Sequence, residues 1–354
     1  ARGFYQHEST MSDEDVELFR KEHNSKVTGG PSTGDGIIPK PLQSFAEASL
    51  PGFLQKALES RFPGPTPIQA QAWPIALGGD NLVSVAETGS GKTMGFLLPA
   101  LVHIKAQEPL RRGDGPIALV VAPTRELANQ INEEVRIFSR IARVRSVCLY
   151  GGASKGPQER LLRQGAEIVI ATPGRLLDLL NAGSLNLRRC TYVVLDEADR
   201  MLDMGFTPQI RAVMSQVRPD RQVLLWSATW PNEVRAIAEE FVSEPWHLQV
   251  GQGSDGALRA SKNVTQSVEV LDDKQQKMDR LLHLLRNNEE GSKQLIFTST
   301  KRMTDDLTEQ LRDEGIAALS LHGGKSQSER DWVMSEFRRG RHPVLLATDV
   351  ASRG

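Results

Sequence analysis

Short apolar, β-branched runs recur along the amino-terminal part of the chain without the alternation of a half-exposed strand: NLVSVA at 81–86, ALVVA at 118–122, EIVIA at 167–171, TYVVLD at 191–196 and QVLLWSA at 222–228. Such runs predict strands covered on both faces, as in a parallel sheet. Between them the period lengthens. Over 126–138, Leu127, Ile131 and Val135 repeat four residues apart on one helix face, with charged residues elsewhere. Strand and helix in alternation predict an α/β fold with a doubly wound parallel sheet, whose functional groups gather at the carboxyl ends of the strands. A second series follows the glycine-rich GQGSDG at 251–256: KQLIFTST, a helix over 301–313, AALSL, a helix over 326–339, and VLLAT.

The flanks of this pattern are sparser in apolar residues. In SDEDVELFRKEH, Ser12 stands three residues before Asp15, an N-cap signature for a short charged helix. VTGGPSTGDG, which follows, has too few apolar residues to pack and reads as a loop. The chain therefore divides into an N-terminal extension (1–42), a first domain (43–250), a linker (251–264) and a second domain (265–354). With three strands, the second series is shorter than such a sheet normally needs, and the sequence stops at VLLATDVASRG, just past a strand tip. The expectation is a second domain left incomplete at its C-terminal side.

Composition narrows the class only a little. A length of 354 residues suits about two domains of ordinary size. Lys and Arg number 43 against 44 Asp and Glu, so a polyanion would have to be met by local patches rather than by net charge. The cysteines, Cys148 and Cys190, lie in apolar surroundings with no CxxC spacing, which predicts reduced, buried thiols. The longest apolar run, 94–104, is far short of the roughly 20 residues of a membrane span. These features predict an intracellular protein with no membrane partner.

Two motifs carry chemistry. In NLVSVAETGSGKT (81–93) a strand runs into a glycine-rich turn and then into an apolar helix. Gly89 and Gly91 allow a tight turn with N–H groups facing a phosphate at a helix N-terminus, Lys92 adds a positive charge, and Thr93 can ligate Mg²⁺. The strict phosphate-loop pattern would have Gly where Ala86 stands. About a hundred residues on, YVVLDEADRM ends a buried strand in carboxylates. Asp196 suits Mg²⁺ held with Thr93 and the phosphates, and Glu197 suits orientation and deprotonation of a water. Together they predict hydrolysis of a nucleoside triphosphate.

Asp196-Glu197-Ala198-Asp199, Ser227-Ala228-Thr229, PTREL at 123–127 and TPGR at 172–175 resemble the DEAD-box RNA helicases. GDGPIALVVAPTREL, YGGASKGPQ, DEADRMLDMGF, WSATWP and KSQSERDWV are similar to the branch that contains the vertebrate sixty-eight-kilodalton nuclear RNA helicase and its yeast counterpart. The resemblance implies two tandem RecA-like P-loop domains that close on ATP and single-stranded RNA, local unwinding of short duplexes, and remodelling of ribonucleoproteins. It implies ATP and Mg²⁺ as cofactors. The nucleotide would be held by Thr88, Gly89, Ser90, Gly91, Lys92 and Thr93, with Phe62 stacking on adenine, Gln69 reading its edge, and Phe45 as an upstream aromatic. Asp349 would lie near the ribose. Asp199, Ser227 and Thr229 would couple the nucleotide to RNA, with both hydroxyls on Asp199. RNA would be held without base reading by Pro123, Thr124, Arg125, Gly151, Gly152, Thr172, Gly174 and Arg175, and in the second domain by Arg330 and Thr348.

Two positions depart from the family pattern: Glu87 stands where Gln is usual, and Arg61 where Gly is usual. The family's arginine-finger motif, worth about a thousandfold or more in related hydrolases, follows the segment at which this sequence stops. Residues 1–354 alone are therefore expected to bind ATP and hydrolyse it poorly. A monomer acting in the nucleus or cytoplasm is also expected. The competing expectation is an ATP-gated RNA clamp with little turnover.

Overall fold

The computed structural model describes residues 9–31, 37–87, 89–251, 265–289 and 291–348. Thr88, Asp349 and most of the expected linker lie outside them. The chain forms two compact units, Ala1–Ser261 and Lys262–Gly354.

The first unit begins with α1 (Asp13–Glu22), whose N-cap Ser12 accepts from the Asp15 N–H, and β1 (Lys26–Gly29). Next come α2 (Gly52–Glu59), α3 (Pro67–Leu77), β2 (Leu82–Ala86), α4 (Lys92–Lys105), β3 (Ala118–Val121) and α5 (Arg125–Ala142). The unit continues with β4 (Ser146–Leu149), α6 (Lys155–Arg163), β5 (Ile168–Ala171), α7 (Pro173–Asn181), β6 (Tyr192–Leu195) and α8 (Ala198–Asp203). It ends with α9 (Thr207–Met214), β7 (Gln222–Ser227), α10 (Asn232–Phe241) and β8 (Trp246–Val250).

These strands form one sheet in the order β1-β8-β2-β7-β6-β3-β5-β4. Every pairing is parallel except that of β1 with β8. The inner strands β2, β3, β5, β6 and β7 are buried along their whole length because both faces are covered. Leu224 and Trp226 of β7 pack on one side with Trp73, Phe96 and Ile131, whereas Val223 and Leu225 pack on the other with Leu176, Met201 and Val234. Side chains alternate across the strand, so each face receives every second residue.

The loop expected over 27–36 is corrected in part: residues 26–29 are the antiparallel edge strand β1. A strand forms here with few apolar residues because only Val27 has to be buried, and the glycines let the backbone close on its neighbour. A Cβ on Gly29 would stand 2.6 Å from the Pro245 carbonyl oxygen, and one on Gly30 would stand 2.5 Å from the Trp246 ring.

The second unit contains α11 (Lys274–Arg286), β9 (Gln294–Phe297), α12 (Lys301–Asp313), β10 (Ala318–Leu321), α13 (Gln327–Arg338) and β11 (Val344–Ala347). Its smaller sheet is parallel, in the order β10-β11-β9. No described helix is long and apolar enough to cross a membrane.

Candidate functional site

Sheet order sorts the expected site residues of the first unit into one continuous row. The carboxyl ends of β2, β7 and β6 lie side by side and carry the 89–91 turn, Ser227 with Thr229, and Asp196 with Glu197. The ends of β3, β5 and β4 extend the row with residues 123–125, 172–175 and 151–152.

The turn after β2 is built on two left-handed glycines, Gly89 at φ +80° and Gly91 at φ +96°. Gly91 is also a point of close approach, since a Cβ there would stand 2.5 Å from Gln69 Nε2. Gln69 occupies the first turn of α3. Its Nε2 donates to the Gly91 carbonyl at 3.0 Å, and its Oε1 accepts from the Thr66 N–H at 3.1 Å. One amide thus joins a helix start to the turn, with one N–H and one lone pair to spare. The Ser90 hydroxyl donates to the Glu87 carbonyl at 2.8 Å. Lys92 is buried, and its Nζ donates to the Ala86 carbonyl at 3.0 Å. The Thr93 hydroxyl meets the Glu134 carboxyl of α5, a neighbour that sequence spacing does not reveal; burial raises the Glu134 pKa.

Asp196 and Glu197 follow β6 directly. The Asp196 carboxylate accepts the Glu197 N–H at 3.0 Å, and burial pushes its pKa up to about 6 against the pull of Lys92. Burial raises Glu197 as well. Glu197 has φ +52°, a left-handed conformation that costs a side-chain-bearing residue on the order of 1–3 kcal/mol. Its buried Oε2 accepts no hydrogen bond among the described residues and is ion-paired with Arg200 Nε at 3.5 Å. Backbone strain of this kind clusters at active sites.

The expected coupling contact is half corrected. Asp199 Oδ2 accepts both the Thr229 hydroxyl, at 2.7 Å, and the Thr229 N–H, at 3.0 Å. Ser227 does not join them; its hydroxyl is buried with no hydrogen-bond partner among the described residues. Ser227 is still in β7, on the side of Val223 and Leu225, whereas Thr229 lies beyond the strand end, where backbone and side chain can converge on one oxygen.

Phe45 is also corrected. At 4 % exposure it is a core residue, its ring 5.9 Å from that of Trp73, and it is not open to a ligand. Its contribution runs through packing, because Trp73 Nε1 donates to the Met94 carbonyl in the first turn of α4. Phe62 is 41 % exposed and free to stack.

Along the second half of the row, Thr124 caps α5 through the Leu127 N–H at 3.2 Å. The Arg125 guanidinium lies 4.5 Å over the Tyr150 ring, a support that the motifs did not disclose. Thr172 caps α7, Pro123 is buried, and Gly151 and Gly152 are exposed. A Cβ on Gly174 or Gly151 would meet nothing within 4 Å. Arg175 Nη2 donates to the Ala153 carbonyl at 2.9 Å, while its buried Nε and Nη1 have no partner among the described residues. In the second unit Arg330 lies in the first turns of α13, and Thr348 follows β11 with a buried hydroxyl that has no hydrogen-bond partner among the described residues.

Residues 66–237 match the DEAD/DEAH box helicase family, and residues 276–354 match the helicase conserved C-terminal domain. The chain is 51% identical over 359 residues to the ATP-dependent RNA helicase DBP2 of Vanderwaltozyma polyspora, covering 100% of this chain and 79% of that protein. It belongs to the DEAD-box RNA helicase family. The DBP2 of Gibberella zeae is 53% identical over 348 residues, 98% of this chain and 61% of that relative. The chain thus spans about six tenths of the length of most of the DBP2 relatives it matches. The crystal structure of the RNA helicase Prp28 from Chaetomium thermophilum bound to ADP superposes with a TM-score of 0.62 at 34% identity, covering 100% of this chain and 82% of that one. The architecture of this DEAD-box chain is that of tandem RecA-like domains, the second with the smaller sheet.

Proposed function

We propose that this chain is the core of an ATP-dependent RNA helicase. It binds ATP at the turn after β2, holds single-stranded RNA along the ends of β3, β5 and β4, and uses hydrolysis to separate short duplexes and remodel ribonucleoproteins. The observation that carries this reading is the position of β7 between β2 and β6, with Thr229 bonded to Asp199. Any change at Asp196 and Glu197 is thereby two residues from a contact that reaches the neighbouring strand.

Each residue has a task that its surroundings support. The N–H groups of the 89–91 turn and the two remaining donors of Lys92 meet phosphate oxygens. Phe62 stacks on adenine, and the spare N–H and lone pair of Gln69 read its edge. Glu197 orients a water and takes its proton; a raised pKa brings the carboxylate closer to operating pH. Magnesium suits Thr93 and Asp196, because a buried carboxylate whose pKa stands near 6 gains from a cation beside it, and the ion would neutralise charge on the phosphates. Arg175, with two unspent donors, and the open turn at Gly174 accept RNA phosphates. Such contacts are blind to sequence and weaken with salt. A nuclear or cytoplasmic site of action and a monomeric state belong to the same proposal.

Steady-state ATP hydrolysis with and without single-stranded RNA tests it. RNA should raise turnover, and Glu197→Gln should remove that turnover while ATP still binds. Slow turnover by residues 1–354 alone is part of the proposal, and the same chain continued with the family's arginine-finger motif measures it. A continued chain that binds RNA with ATP, yet never turns over faster with RNA, would instead be an ATP-gated clamp.

A further inference from the structure

The strands that carry the row at their carboxyl ends start from a polar cavity of about 550 Å³ at their amino ends. Asn81 and Thr191 just precede β2 and β6, Gln222 opens β7, and all three line it. This end of the sheet has no part in the nucleotide and RNA reading.

Three guanidinium groups line the cavity, and two are neutralised. Arg189 is paired with Asp114 at 2.9 Å, and Arg218 with Asp220 at 2.8 Å. Arg221 has no carboxylate among the described residues. Its Nη1 donates to the Arg218 carbonyl at 3.0 Å, and its Nε is buried without a hydrogen-bond partner. Nε and Nη2 are the side-on pair that grips two oxygens of one anion. The remaining groups are neutral. His103 bonds to the Thr191 hydroxyl at 2.8 Å, and burial lowers its pKa to about 4, so it carries no charge at neutral pH. The side chains of Gln107 and Ser243 have no hydrogen-bond partner among the described residues and are free to meet hydroxyl groups.

We infer that this cavity binds a sugar phosphate, with the Arg221 side-on pair on the phosphate and Gln107 and Ser243 on the sugar hydroxyls. The one guanidinium without a carboxylate partner offers a planar pair of donors that matches phosphate oxygens, and two neutral hydrogen-bonding side chains suit a polyol better than a second charge. Free phosphate shares the anionic half of this chemistry, so the test separates the two.

Calorimetric titration of the chain with ribose 5-phosphate and with inorganic phosphate, at constant ionic strength, decides it. Saturable one-site binding of ribose 5-phosphate is expected, equal in the parent chain and in Lys92→Ala, in which the phosphate turn is disabled. Arg221→Gln should weaken it by about tenfold or more, as expected for loss of a charge-assisted pair. Gln107→Ala, which leaves the buried Nε untouched, should weaken ribose 5-phosphate and leave inorganic phosphate unchanged. Circular dichroism checks that each variant is folded. The inference is overturned by absence of saturable binding in Lys92→Ala, by inorganic phosphate binding as tightly as ribose 5-phosphate, or by a folded Arg221→Gln that binds as before.

Discussion

Thr229 places its hydroxyl, at 2.7 Å, and its N–H, at 3.0 Å, on the same oxygen of Asp199. The contact joins the helix after the DEAD segment to the end of the strand between β2 and β6. Thr229→Ala keeps the backbone bond and loses the hydroxyl. A hydrogen bond to a charged acceptor contributes about 1.5–3 kcal/mol, so urea unfolding should show a loss within that range. RNA unwinding should fall further than basal ATP hydrolysis, measured side by side, because the triphosphate turn is untouched.

Gly91 is required twice, by its conformation and by its neighbour. At φ +96°, with Gln69 Nε2 2.5 Å from the position of a Cβ, Gly91→Ala meets both backbone strain and a clash. A loss of about 1–3 kcal/mol in denaturant unfolding is expected. Adding Gln69→Ala should return only the part due to the Gln69 contact, because Thr66 Oγ1 stands 2.8 Å from the same Cβ position, and a double-mutant cycle reads that part directly.

Stability and activity should part company at Glu197. Glycine adopts φ +52° without strain, so Glu197→Gly should raise the midpoint of thermal unfolding, by about 1 kcal/mol in stability, while ATP turnover falls to background. A variant that is both less stable and inactive would remove the strain argument.

His103 makes the first unit sensitive to acid. Its folded pKa is lowered from 6.5 to about 4 by burial, so the neutral ring is favoured in the fold. The stability that depends on neutrality is fully present above about pH 6.5 and is lost as pH falls towards 4, by about 3 kcal/mol in all. His103→Gln offers Thr191 a polar group that does not titrate. Urea midpoints at about pH 7, 5.5 and 4 should fall less steeply for that variant than for the parent chain.

Sequence by itself determined the element types, the turn that faces a phosphate and the carboxylates at a strand tip, because each is written within a few consecutive residues. Non-alternating apolar runs became β2, β3, β5, β6 and β7, and Ser12 caps the helix it precedes. Tertiary structure decided what depends on residues far apart in the chain. The order β2-β7-β6 is set by packing across both faces of the sheet, and it made Thr229 rather than Ser227 the partner of Asp199. Phe45 looks like an isolated aromatic in sequence, yet Trp73 buries it. β1 has almost no apolar signal of its own; it exists because Gly29 and Gly30 let the chain close against Pro245 and Trp246, more than two hundred residues away. Local periodicity and turn chemistry can be read along the chain, whereas burial and partnership are properties of the packed whole.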